Sequence, residues 1–222
     1  MTDEHEILLD KWANQNHHSG NGFVHDGIVD PKRWNKSKIK LLFLLKEAYS
    51  NPARPEDFDL RVLLRDVWKG PKGILFWYAA YWAYAVHNCD RTETLSLPET
   101  PEELNLASEY LLSSAIVNVK KSSGQTHSDM ENIKQYAKLD GELLKKQINI
   151  INPEIVICGN TWVAVRYLWP EVISNYDLTW QNTNILFVDF WHPANQFPKK
   201  LNYYALDNIL RNSLKKKKSG AG

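Results

Sequence analysis

Cysteine is nearly absent, with only Cys89 and Cys158 in 222 residues. That excludes a disulfide framework and any four-cysteine centre, whether zinc or iron–sulfur cluster. Cys158 lies inside the apolar run "EIVICG" and reads as a core residue. Long hydrophobic runs are missing too, none reaching the roughly 18–20 residues of a membrane-spanning helix. The opening "MTDEHEILLDKW" is acidic and amphipathic, unlike a basic signal peptide. The expectation is a cytoplasmic protein with no membrane partner. A dominant charge is lacking: 27 Lys and Arg face 26 Asp and Glu, net +1, which gives no global sign of a nucleic-acid partner. Metal-ligand spacing is also absent. His17 and His18 adjoin in a Gly/Asn-rich stretch with no Cys-x-x-Cys or His-x-x-x-His partner nearby, so no metal or other cofactor is expected.

What remains is 43% hydrophobic and 24% charged, enough for one substantial core. We read residues 1–214 as a single domain and 215–222 as a basic flexible tail, and expect a monomer. Basic residues gather at 31–40, at Lys120 and Lys121, at Lys199 and Lys200, and at 214–220, which leaves open a positive face despite the even balance. A solvated mixed surface is the plainer reading of any one cluster.

Four apolar runs stand out: "IKLLFLL" (39–45), "SAIVNV" (114–119), "EIVICG" (154–159) and "NILFVDF" (184–190). They are near-continuously hydrophobic rather than alternating, as strands covered on both faces of a parallel sheet are. Helical patterns at 74–88, 103–113, 128–150, 161–169 and 202–214 lie between and after them. The rhythm predicts an α/β fold, a three-layer α/β/α domain with a central four-stranded parallel sheet and right-handed crossovers.

Ligands of such sheets bind outside the carboxyl ends of the strands. The residues there are Lys46-Glu47-Ala48-Tyr49-Ser50, then Asn118 with Lys120 and Lys121, then Gly159-Asn160-Thr161, then His192-Pro193-Ala194-Asn195. Pro193 keeps His192 out of helical space, at the very end of its strand. Each residue has a duller role open to it: Glu47 as a loop cap, Asn118 satisfying a strand-end backbone group, His192 bonded to a carbonyl, Asn160 or Thr161 as a helix N-cap. Taken together, the polar residues all fall at the same end of independently identified strands.

On these residues the chain resembles the uracil-DNA glycosylase superfamily. "FLLKEAYS" is similar to the first glycosylase motif, with Glu47-Ala48 at its centre; "AIVNVKK" is similar to the strand whose asparagine reads the base, here Asn118; "INPEIVICGN" and "WHPAN" resemble the third strand and the late His-Pro-Ser motif. The resemblance spans residues 39–196. It departs where Lys46, Tyr49 and Ser50 replace the Gly and Pro framing of the first loop, and where Ala194 replaces the serine.

The resemblance implies a DNA glycosylase that flips a base into a pocket and hydrolyses its glycosidic bond without a cofactor. Glu47 would position or deprotonate water and favour the cationic sugar, and His192 would donate to the base oxygen as negative charge grows there. Asn118, Ala48 and Tyr49 would contact the base. Lys120, Lys121, Ser50 and Asn195 would contact the DNA backbone. The altered loop and nine tryptophans suggest a guest larger than uracil, such as a hydroxymethylated or glycosylated cytosine of phage DNA, hence a defence role. Ordinary uracil repair, a catalytically idle DNA-binding relative and a hydrolase of free nucleosides are the alternatives.

Two segments stay open. "ILFWYAAYWAYAVH" (74–87) holds six aromatic residues in fourteen and reads as core packing, with a base-stacking wall as the rival. His25-Asp26-Gly27 reads as a simple turn, with a loop folded over the cleft as the rival.

Overall fold

The structure, a computed structural model, describes residues 3–49, 56–68, 74–90, 93–124, 128–176, 178–182 and 184–219, by backbone alone at 74–75, 176 and 215–219. Ser50 lies outside the described residues. In chain order the elements are α1 (Asp3–Ala13), β1 (Val24–His25), β2 (Gly27–Ile28), α2 (Pro31–Lys36), β3 (Leu41–Leu45), β4 (Phe58–Asp59), α3 (Leu60–Val62), α4 (Ile74–Asn88), α5 (Pro101–Leu112), β5 (Ala115–Asn118), α6 (Met130–Ile151), β6 (Ile155–Gly159), α7 (Trp162–Val165), β7 (Ile173–Tyr176), β8 (Thr179–Gln181), β9 (Leu186–Phe190) and α8 (Lys199–Ser219).

Local signals set the longer helices. Thr100 and Glu103 form a reciprocal capping box at the start of α5, with Pro101 opening the helix. Asp129 caps α6, which stops where Asn152 turns left-handed (φ 53°) ahead of Pro153. The closing helix continues through Ser219, so the backbone of the terminal lysine run begins as helix.

The fold is mixed α/β. The expected four-stranded parallel sheet is corrected to a seven-stranded mixed sheet, ordered β2-β5-β3-β6-β9-β8-β7, beside a two-stranded parallel pair of β1 and β4. The four apolar runs do lie side by side in parallel, as β5-β3-β6-β9. Antiparallel strands extend them: β2 beside β5, and the β8–β7 hairpin beside β9. These additions escaped the sequence reading because β2 has two residues, while "ISNY" and "TWQ" carry no apolar run.

Alternate residues of each central strand enter two separate cores. Leu41, Phe43 and Leu45 pack with Ile157, Val188, Trp82 of α4, Leu111 of α5 and Leu206 of α8. Leu42 and Leu44 pack with Val156, Phe187, Trp12 of α1, Leu144 of α6 and Trp162 of α7. Period-two alternation thus buries both faces of β3, every residue of which is buried. Among the described residues no helix is long and apolar enough to cross a membrane.

Candidate active site

The parallel register sets the carboxyl ends of β3, β5, β6 and β9 along one edge of the sheet. Beyond that edge the chain after β3 and the chain after β5 stay paired. Val119 N–H donates to Leu45 O (2.8 Å), Lys120 N–H to Lys46 O (2.9 Å) and Gly124 N–H to Ala48 O (2.8 Å). This zipper carries Glu47 and Lys120 together, and Lys120 Nζ meets Glu47 Oε2 at 2.8 Å with both side chains nearly buried. Gly124 makes room for the carboxylate: a Cβ there would lie 2.4 Å from Glu47 Cγ.

A cavity of about 340 Å³ opens at this edge, lined by Glu47, Ala48, Tyr49, Asn118, His192 and Ala194 together with Leu45, Phe58 and Phe76. Three chemistry-bearing residues from three strands therefore face one space. A larger cleft of about 700 Å³, lined by Arg33, Lys36, Lys38, His87 and Tyr110, lies by the segments that lead into β3 and β5 and shares none of these residues.

His192 is placed by its neighbours. Gly159 at the end of β6 lets the Trp-His-Pro turn come close, since a Cβ there would meet Pro193 Cδ at 3.3 Å and His192 Cα at 3.5 Å. Ala194 N–H donates to His192 Nδ1 (3.2 Å), which assigns the remaining proton to Nε2. Burial, helped by the Lys46 ammonium, lowers its pKa to about 4, so the ring is neutral at pH 7 and acts as a hydrogen-bond donor rather than a cation. Lys46 in turn is lowered by burial, against the pull of Glu47.

Asn118 is held from behind. Its backbone N–H and its Nδ2 both donate to Asp26 Oδ2, at 2.7 and 3.2 Å. Asp26 is wholly buried and also accepts from Lys121 Nζ (2.5 Å) and Gln147 Nε2 (2.9 Å) on Oδ1. With one Nδ2 proton committed to a carboxylate, the Asn118 amide cannot flip without setting its oxygen against that charge. The residue missed by sequence reasoning is thus Asp26, which is no simple turn residue but the hub beneath the site. The only signal was a carboxylate set in the apolar stretch "GFVHDGIV".

One expected contact to the DNA backbone is corrected, and a second residue is engaged within the protein. Lys121 is fully buried, paired with Asp26 and set over the Trp12 ring at 4.7 Å, so no phosphate reaches its ammonium. Asn195 is a loop staple: Nδ2 donates to His192 O (2.8 Å) and Asn202 Oδ1 (3.2 Å), while Oδ1 accepts from Phe197 N–H and Asn202 Nδ2 (both 2.9 Å). Lys120 is engaged as the partner of Glu47. Within the 31–40 run Arg33 is paired with Asp30 and Glu109 and Lys40 with Trp34 O and Ser37 O, while Lys32, Lys36 and Lys38 are exposed. Thr161 stands at the N-cap position of α7 as expected, but its side chain makes no cap bond there and donates instead to Leu44 O (2.9 Å).

The aromatic helix divides. Trp82 is fully buried, edge-on to Phe190 at 5.1 Å, and Tyr78 donates to Phe197 O (2.8 Å), so both brace β9 and the loop after His192. Phe76 supplies the cavity wall. His17 and His18, which lacked partners along the chain, meet Asp140 of α6: His17 Nε2 at 2.8 Å from Oδ1 and His18 Nε2 at 3.1 Å from Oδ2.

No protein-family model matches this sequence, and no curated protein is significantly similar to it.

Proposed function

We propose that this protein is a DNA glycosylase with a uracil-DNA glycosylase-like α/β/α core, excising an enlarged pyrimidine such as a glycosylated hydroxymethylcytosine and leaving an abasic site. The observation that carries the reading is the convergence of Glu47, Asn118 and His192, from the ends of three parallel strands, on one cavity. Breaking an N-glycosidic bond leaves positive charge on the sugar and negative charge on the base. A carboxylate on one side and a neutral imidazole donor on the other stabilise those charges as they form. Glu47 orients water and offsets the sugar's charge, His192 Nε2–H donates to the base oxygen, and Asn118, locked by Asp26, reads the edge of the flipped base.

At about 340 Å³ the cavity falls in the range of small-molecule sites, roughly 300–1,000 Å³, which leaves room for a substituent on the ring. Phe76 and Tyr49 offer faces on which a sugar stacks. Phage genomes carrying such bases would be the target, and unmodified host DNA would be spared. The experiment incubates the full chain with duplexes containing uracil, cytosine, hydroxymethylcytosine or glucosyl-hydroxymethylcytosine and measures released base and alkali-labile sites. Release from the glucosylated duplex alone supports the proposal. Efficient uracil release with none from the bulky bases returns the protein to uracil repair. DNA binding without any release makes it an idle relative.

A further inference from the structure

We propose that His17, His18 and Asp140 form a binding site for a divalent zinc-class cation that clamps the loop after α1 to helix α6. Their ligand atoms lie within 4.8 Å of one another. The donor set, two imidazole nitrogens and a carboxylate, is one that zinc takes, with bonds of roughly 2.0–2.2 Å and a fourth position left for water. Two bonds of that length at a tetrahedral angle set neighbouring ligand atoms about 3.3 Å apart. The two imidazoles meet different oxygens of the Asp140 carboxylate, at 2.8 and 3.1 Å, and within the 4.8 Å span of the three ligand atoms a rotation of the side chains brings them onto one ion.

The surroundings are those of a built site rather than of a chance surface cluster. His18 and Asp140 are completely or almost completely buried, while the His17 side chain is 27% exposed and leaves an entry path. His18 Nδ1 lies 2.5 Å from Ser122 Oγ. With the metal on Nε2, that nitrogen carries the proton and donates to the hydroxyl, the arrangement by which outer partners orient a metal-bound histidine. Tyr136 packs against both imidazoles, at 5.7 and 5.5 Å.

Charge points the same way. Two buried carboxylates, Asp26 and Asp140, both act on the buried Lys121 ammonium, which is bonded to Asp26. A dication on the two histidines would meet the Asp140 carboxylate, to which Lys121 is not bonded. The clamp would join segments 122 and 123 residues apart in sequence, and through Ser122 it would steady the segment leading from β5 to Gly124 beside Glu47.

The test uses the full chain, stripped with a chelator and dialysed, then titrated with zinc against a chromophoric chelator. One zinc per chain is expected, with a raised thermal midpoint, and cobalt substitution should give the visible absorption of a tetrahedral site. His17→Ala, at the partly exposed position, should keep the fold and weaken zinc affinity by at least roughly 100-fold, since losing even an outer partner costs 10–100-fold. Ser122→Ala should fall within that smaller range. The proposal is overturned if the stripped protein binds no stoichiometric zinc, or if zinc affinity is unchanged in both His17→Ala and Asp140→Asn. Either result leaves the three residues as a hydrogen-bonded brace.

Discussion

Replacing Asp26 with asparagine tests the charge hub beneath the candidate site. Asp26 and Lys121 have no solvent exposure and meet at 2.5 Å. Removing one partner of a buried pair costs roughly 3–5 kcal/mol, because the other charge is stranded. A second route gives a ceiling. The stranded lysine can shed its proton, which at pH 7 costs about 1.36 kcal/mol for each unit below its ordinary value near 10.4, or about 4.6 kcal/mol. The two figures agree, and both are a large share of a typical stability of roughly 5–15 kcal/mol. At about 2–4 °C per kcal/mol for a chain of this size, the thermal midpoint should fall by roughly 6–20 °C.

The stranded lysine also imposes a pH dependence. Burial depresses the Lys121 pKa, and Asp26 opposes that shift. Without Asp26 the depression deepens. Between the depressed value and 10.4 the unfolded chain holds more protons, so the variant gains stability as pH rises. Its ceiling at pH 9 shrinks to about 1.9 kcal/mol. Urea unfolding at pH 7 and pH 9 measures both quantities. Adding Lys121→Met to Asp26→Asn should recover most of the loss, since the asparagine oxygen still accepts from Asn118 N–H. A loss below about 1 kcal/mol at pH 7, or an equal loss at both pH values, refutes the hub.

Glu47→Gln and His192→Ala should each lower single-turnover base release by roughly 100-fold or more with DNA binding retained; near-full activity in either removes that residue from the chemistry. Gly124→Ala should reduce turnover while the protein stays folded, because the new Cβ displaces the Glu47 side chain; unchanged kinetics would show the carboxylate's position to be unimportant. With Lys121 buried, Lys199 and Lys200 at the exposed start of α8, the latter in an exposed pair with Glu99, become phosphate contacts to test. Alanine at both should reduce the salt slope of DNA binding by about two units, and an unaltered slope would exclude them. Burial lowers His87, and burial with Lys46 lowers His192, to about 4 each. The unfolded chain therefore binds more protons between about 6.5 and 4, and stability is lost across that window as pH falls, by on the order of 2–3 kcal/mol per histidine. Midpoints that stay flat from pH 7 to pH 4.5 would contradict those shifts.

The central strands were legible because their signal is local. "LLFLL", "AIVN", "IVICG" and "LFVDF" are each buried on both faces, and continuous apolarity is what such burial requires. Once those runs were aligned in parallel, Glu47, Asn118 and His192 followed from position alone, as polar residues at the carboxyl ends of the runs. Edge elements were not legible for the opposite reason. A strand such as β7, with Ile173 72% exposed, owes its conformation to pairing with β8 and has no burial pattern of its own.

Polar partnership is the property that sequence conceals most thoroughly. Lys120 and Lys121 adjoin and looked equivalent, yet the zipper beyond β5 turns the first toward Glu47 and the second toward Asp26. Asp26 lies 92 residues from Asn118 and 121 from Gln147, and Asp140 lies 122 from His18. No spacing rule spans such gaps, because each partner is specified by where its own strand or helix packs. What a sequence does offer is a solitary charge on a face that ought to be apolar. Asp26 sits inside "GFVHDGIV", and Asp140 falls on the buried side of α6 between Ala137 and Leu144. A carboxylate in such a place is tolerated only if bonded or paired, so its presence already demands donors that the local chain does not supply. In this protein the donors demanded by Asp26 hold the base-reading residue of the proposed site, and those demanded by Asp140 form the proposed cation site.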